Sequence, residues 1–328
     1  MSAHYASHRV RARELGEKLL SDVTNFGTRQ DQVVVLVHLA QAYNIDGDLL
    51  KAKTLYEQAL DLYDDEQDEV LALEYGMNIK VQILALASYN YLHLGELSKA
   101  KYCAYEAERI SEHLNSIGEI VFANIFIALY HIFLKQHDLV VDNWNKFNEK
   151  YSKQATGNVF HLHFLECYSY SSARNTELSR KALNKQIETG QTFATGYYVT
   201  HLAEAYIEEM RLDEAIQLIE DSLARCVKQG ELSVIPFVKK TYAECLYLKH
   251  GKTTSQLLDL LHESITQAHS QDAKFFELES RLMLHKLAHD AENYEKLKIL
   301  HQWFIDHDEV ENSLLFTELK GLLKQENL

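Results

Sequence analysis

The stretch from Leu36 to Asp65, LVHLAQAYNIDGDLLKAKTLYEQALDLYDD, decides the fold class. Leu36, Leu39, Ala40 and Tyr43 recur at i, i+3, i+4 and i+7, which places them on one face of a helix. Asp46-Gly47-Asp48 then breaks that helix, and Gly takes the left-handed C-terminal conformation without a steric penalty. A second helix follows, with Ala52, Leu55, Tyr56, Ala59 and Leu60 on its inner face. The unit is a pair of helices joined by a tight turn.

The unit repeats along the chain. In LALASYNYLHLGELSKAKYCAYEAERI, Leu84, Ala87, Ser88 and Tyr91 line a first helix, Gly95 turns the chain, and Ala100, Ala104 and Ala107 line a second. In VTHLAEAYIEEMRLDEAIQLIEDSL the matching positions are Val199, Leu202, Ala203 and Tyr206, then Ala215, Ile219 and Ser222. A small residue at a helix crossing makes room for a bulky one on the partner, so the alternation is a packing rule. Composition agrees: 12 Gly and one Pro are too few to punctuate a strand-rich fold. That one proline, Pro236, suits the first turn of a helix, where its missing N–H costs nothing.

Leu39–Tyr43 (LAQAY) followed by Leu50–Leu60 (LKAKTLYEQAL), and Leu202–Tyr206 (LAEAY) followed by Asp213–Leu223 (DEAIQLIEDSL), resemble the tetratricopeptide consensus at nearly every packing position. The resemblance is good around Gly95. It is weaker from Glu119 to Lys150, where Asp142 stands at the small-residue position, and no register is assigned from Asn158 to Thr189. The family implies an all-α, right-handed superhelical array of antiparallel helix pairs. About seven repeats are expected in one continuous unit over 1–328. Residues 1–30 form an N-terminal cap, 31–310 the repeats and 311–328 a C-terminal cap. Tyr5 to Val23 is read as the first capping helix, with Val10, Leu15, Leu19 and Leu20 inward, and Asn312 to Gln325 as the last. The turns at Gly47 and Gly95 lie 48 residues apart and those at Met210 and Gly251 lie 41 apart, against about 34 in the standard repeat. The closing proline of the family is absent, so the second helices are expected to run long. From Thr189 onward, YAECLYLKHG, FFELESRLMLHKL and the final Leu300–Leu323 segment are similar to the long-helix repeat tail of bacterial ATPase- or cyclase-linked and maltose-activator-type regulators. No ATPase, cyclase or helix-turn-helix segment is recognised, so only the tail's binding role is implied.

That role is binding a protein or peptide along a concave groove lined by the first helix of each pair, in signalling or transcriptional regulation. Residues offset from the packing positions are the groove candidates: Gln41, Asn44, Tyr89, His93, Asn124, His131, Tyr197, Thr200 and Glu204. Amide, phenol and imidazole groups hydrogen-bond an extended backbone, and aromatic faces add contact area. The alternative is a sensor for a small molecule or oligosaccharide. Stacked groove aromatics would favour a sugar, and a charged groove a peptide.

Other classes find little footing. With 33 basic and 48 acidic side chains the net charge is −15, a field that opposes nucleic acid and anionic membranes. The basic run Arg9, Arg11 and Arg13 reads as a solvated face. Cys103, Cys167, Cys226 and Cys245 are scattered and form no CxxC pair, as in a reducing, cytoplasmic setting. The N-terminus is not read as a secretory signal. Ile120–Leu134 (IVFANIFIALYHIFL) is too short to span a membrane and reads as a buried helix. Gly251–Ser255 (GKTTS) matches the end of a phosphate-binding loop, but Leu246 stands where that motif requires Gly, so it reads as a repeat turn. His285 and His289 have the spacing of zinc ligands beside Asp290, but no HExxH accompanies them. His161 and His163 point to different sides, and His262-Glu263 lacks a second His. With no GxSxG elbow either, no catalytic residue, cofactor or metal is expected, and a hydrolase or metalloenzyme is the least supported reading.

Overall fold

Repeatedly along the described residues a helix ends in a left-handed residue and a second helix returns alongside it. The computed structural model describes residues 9–68, 71–155, 161–188, 195–307, 309 and 313–325. The helices are α1 (Arg9–Phe26), α2 (Arg29–Asp46), α3 (Leu49–Leu62), α4 (Asp65–Asp68), α5 (Leu71–Tyr75), α6 (Ile79–Leu94), α7 (Leu97–His113), α8 (Ile117–Phe133) and α9 (His137–Tyr151). They continue with α10 (Leu162–Ser172), α11 (Thr176–Glu188), α12 (Thr195–Glu208), α13 (Leu212–Gln229), α14 (Ile235–His250), α15 (Ser255–Ser270), α16 (Lys274–Ala288), α17 (Ala291–Asp306) and α18 (Leu314–Gln325). No strand occurs among the described residues.

The pairs are α2–α3, α6–α7, α8–α9, α10–α11, α12–α13, α14–α15 and α16–α17. Their turns carry positive φ at Gly47, Gly95, Lys135, Arg174, Met210, Gly251 and His289. These turns supply the register that the sequence withheld between 119 and 189, with Lys135 and Arg174 in the places Gly holds elsewhere. Gly95 is doubly constrained, because a Cβ there would stand 2.9 Å from the Phe304 ring. Helix starts follow local chemistry. Thr28 and Asp31 form a reciprocal capping box on α2, and Asp48, Asn78, Thr254 and Asp290 cap α3, α6, α15 and α17. Pro236 sits in the first turn of α14, and Gly251–Thr254 is the turn and cap between α14 and α15.

Three sequence expectations are corrected. The 48-residue spacing after Gly47 is not a long second helix: α3 stops at Leu62, Tyr63 is extended, and the short helices α4 and α5 fill the excess. In α1, Leu15 and Leu19 face outward, at 55% and 50% exposure. The helix instead turns Arg13, Gly16, Leu20 and Val23 toward α2, because Gly16 lies against Leu39. Asp142 is exposed, and α9 packs through Val140, Trp144, Phe147 and Tyr151. Tyr5 to His8 and Asn312 lie outside the described residues, as do the side chains of Arg9, Val10 and Arg11.

The first helices α6 and α8 are buried on nearly every side, whereas α7 and α13 are amphipathic, with one buried stripe each. The reason is long-range contact. Adjacent helix pairs pack on one another, but here pairs distant in sequence also meet. The Leu232 and Ser233 amides donate to the Ile45 carbonyl at 2.9 and 3.1 Å. Gln271 Nε2 donates to the Leu232 carbonyl at 3.0 Å, and the Ser98 amide donates to Glu309 Oε2 at 2.6 Å. Helix α16 packs directly on α6. The inner face therefore closes on itself.

Candidate binding cleft

The closure is made of rings. Tyr197 stacks near His93 with centroids 5.7 Å apart, and its hydroxyl lies 3.0 Å from His93 Nε2. Tyr89 meets Tyr197 edge-on at 5.1 Å. Phe276 lies 5.0 Å from His93, 5.3 Å from Phe133 and 5.6 Å from Phe237. Helices α6, α8, α12, α14 and α16 each contribute a ring, so residues far apart in sequence share one apolar interior. Burial there lowers the His93 pKa to about 3 and raises the Tyr89 and Tyr197 phenols well above their ordinary range.

Most of the groove candidates are consequently interior groups. Asn44 is 2% exposed and accepts a hydrogen bond from Asn90 Nδ2 at 2.8 Å. Thr200 is buried and donates back to the Gly196 carbonyl at 2.6 Å. Asn124 is buried and donates to Glu108 and to the Ile120 carbonyl. His131 is held between Tyr105 and Gln136. His93 and Tyr197 are buried, Tyr89 is partly buried against the core, and Gln41 is half-buried. Burial, rather than an open groove, is what these positions share. Of the nine, Glu204 alone lines the large cleft described next.

That cleft, about 1080 Å³, opens beside the aromatic interior between the α8–α9 turn, α12, α14, α16 and α18. Ile207, Leu282, Met283, Leu287, Leu314 and Leu315 supply apolar wall. The floor is charged. Lys135 Nζ donates to Glu204 Oε1 at 2.8 Å and lies 3.9 Å from Glu279 Oε1. Lys240 Nζ donates to Glu244 Oε2 at 3.2 Å and lies 3.7 Å from Glu204. Both ammoniums are 5.9 Å from the Phe237 centroid, so this ring borders interior and cleft together. His201 lies 3.3 Å from Glu204 and stacks on His137 at 5.5 Å. At the rim, Arg174 pairs with Glu208 and Lys286 with Glu318.

The floor carboxylates differ in state. Burial works against the charge of Glu204, but Lys135, the His201 contact and Lys240 outweigh it and hold Glu204 ionised well below the usual range. For Glu279 burial wins over Lys240 and Lys135, and Glu204 and Glu244 add to it, so its pKa is raised. Lys240 is buried, yet Glu244, Glu279 and Glu204 raise its pKa. Sequence reading missed Lys135, Lys240 and Glu279 because they come from three distant segments. One signal was present: Lys135 occupies a turn position at φ 56°, where a side chain costs strain that Gly would avoid.

None of the remaining candidates lines this cleft. His289 is the left-handed residue that ends α16, its ring edge-on to His285 at 5.7 Å. Among the described residues no group of three or more His, Cys, Asp or Glu could hold a metal ion. The four cysteines are free and buried, and burial raises the thiols of Cys103, Cys167 and Cys226 to about 12. Among the described residues no helix is long and apolar enough to cross a membrane. No protein-family model matches this chain, and no curated protein does.

Proposed function

We propose that this chain is a non-catalytic regulatory module of the tetratricopeptide type, whose tightly curled superhelix binds a peptide segment of a partner in the charged cleft. The observation that carries the reading is the cleft's make-up: an ionic floor under aliphatic walls. A peptide presents backbone amides, charged groups and apolar side chains together, and such a surface has a counterpart for each. The sensor reading for an oligosaccharide needs ring faces open to the ligand. Here the ring faces are turned on one another. The resemblance of the C-terminal repeats to regulator tails supports a place in signalling or transcriptional regulation.

The test is selection from a random octapeptide library on the immobilised chain, with titration of malto-oligosaccharides alongside. Leu314→Trp is the control, since Leu314 lines the cleft mouth at 67% exposure and a larger ring there narrows the opening without touching the core. Peptides that bind the native chain and lose affinity for Leu314→Trp are the expected result. Peptides that bind both alike would move the site elsewhere. Oligosaccharide binding with no peptide enriched would replace the reading by the sensor.

A further inference from the structure

The cleft floor has one carboxyl group without a close partner. Glu279 lines the cleft at 6% exposure, and among the described residues it makes no hydrogen bond. Its one ammonium neighbour within 4 Å, Lys135 at 3.9 Å, already donates to Glu204 at 2.8 Å. Lys240 likewise donates to Glu244. A buried carboxylate left in this condition is costly unless a proton or a cation neutralises it.

Charged groups face Glu279 from several helices. The α8–α9 segment brings Lys135 and His137, and burial lowers the His137 pKa to about 4, so that ring is neutral. Helix α12 brings Glu204, braced by His201, and α14 brings Lys240 and Glu244. At the rim, Glu208 pairs with Arg174, and Lys286 of α16 pairs with Glu318 of α18. On the floor itself, two ammoniums face three carboxyls. His201 stands beside Glu204 at 3.3 Å, and Glu279 is the carboxyl farthest from an ammonium.

Building on the peptide-binding reading, we propose that Glu279 is the anchor for one alkylammonium or guanidinium group of the ligand, a cation that takes the place of the Glu279 proton. Leu282, Met283 and Leu287 bound the same space and suit the aliphatic stem of such a group. The exchange is balanced in charge: the ligand cation enters, the carboxyl proton leaves to solvent, and the net charge of the floor is unchanged. The raised Glu279 pKa agrees with a proton held while the cleft is empty. Binding then strengthens as pH rises through the Glu279 titration, because less proton has to be displaced.

The experiment uses n-hexylammonium, 1-hexanol and hexanoate as probes of the full chain, by calorimetry from pH 5 to 8 in two buffers of different ionisation enthalpy. n-Hexylammonium is expected to bind with proton release at the acid end of the range and to gain affinity with pH. Losing the charge, as in 1-hexanol, or the carboxylate, as in Glu279→Gln, is expected to weaken binding by about tenfold or more. Equal binding of the three probes, pH-independent hexylammonium binding without proton release, or unchanged binding by a folded Glu279→Gln would each overturn the proposal. The pH profile of the native chain decides the matter even if the variant does not fold. Octapeptides that bind without needing Lys, Arg or a free amino terminus would remove the cation anchor and leave peptide binding standing. Hexylammonium binding with no peptide selected would do the reverse.

Discussion

The aromatic interior and the charged cleft share helices α12, α14 and α16, and they differ in what closes them. Around His93 helices distant in sequence meet, and rings from five of them exclude water. Around Glu279 the helices leave a gap, and the chain fills the floor with ions. Phe237 belongs to both, packing on Phe276 in the interior and standing near the Lys135 and Lys240 ammoniums. A filled region serves stability. A gap floored with partly satisfied charge costs stability and is suited to a ligand.

The contrast can be broken most severely in the interior. Phe276→Ala removes a ring shared by three partners and is expected to cost about 3–5 kcal/mol, read by denaturant unfolding. A loss well under 1 kcal/mol would mean that the rings do not close the array. Asn44→Ala comes next. Read as a groove residue, Asn44 should be dispensable for stability, but its burial and its bond to Asn90 overturn that expectation. The substitution is expected to cost about 1–3 kcal/mol, because an Asn90 donor loses its partner. Unchanged melting would return Asn44 to the surface.

Acid acts on His93 and Glu279 with opposite sign. His93, with a folded pKa near 3, stays neutral while the unfolded chain takes up a proton near 6.5. Stability therefore falls as pH drops below about 6.5, at up to about 1.4 kcal/mol per pH unit for this group. His137 and His161, both lowered to about 4 by burial, act in the same direction. His93→Leu should shallow the acid slope between pH 4 and 6.5, and an identical slope would place His93 in contact with water. Glu279 acts oppositely. Its raised pKa favours the folded state below the ordinary carboxyl range and loses that advantage as pH rises through the folded value. Glu279→Gln should thus leave melting at pH 7 unchanged or slightly higher, the smallest effect of the series. A marked loss would mean that the carboxylate holds the floor together.

The helix pairs were legible because they rest on local rules: the period of Leu36, Leu39, Ala40 and Tyr43, the Gly47 turn, the small residues at crossings. The closure was not, since it joins Ile45 to Leu232 and His93 to Phe276. Its trace in the sequence is Ile120–Leu134, apolar apart from Asn124 and His131, where an open groove would keep one wet face. Among the site residues, Glu204 was found through the repeat register. Lys240 and Glu279 were not, because a charge on a helix reads as solvated until the packing around it is known.

Hydrogen exchange at the Leu232 and Ser233 amides tests the closed inner face most directly. Both donate to the Ile45 carbonyl across the array. The closed arrangement predicts protection comparable to that of the α6 and α8 core amides. Exchange at the rate of an unprotected loop, with the helices still protected, would mean that the array is open and that the groove on its inner face must be considered again.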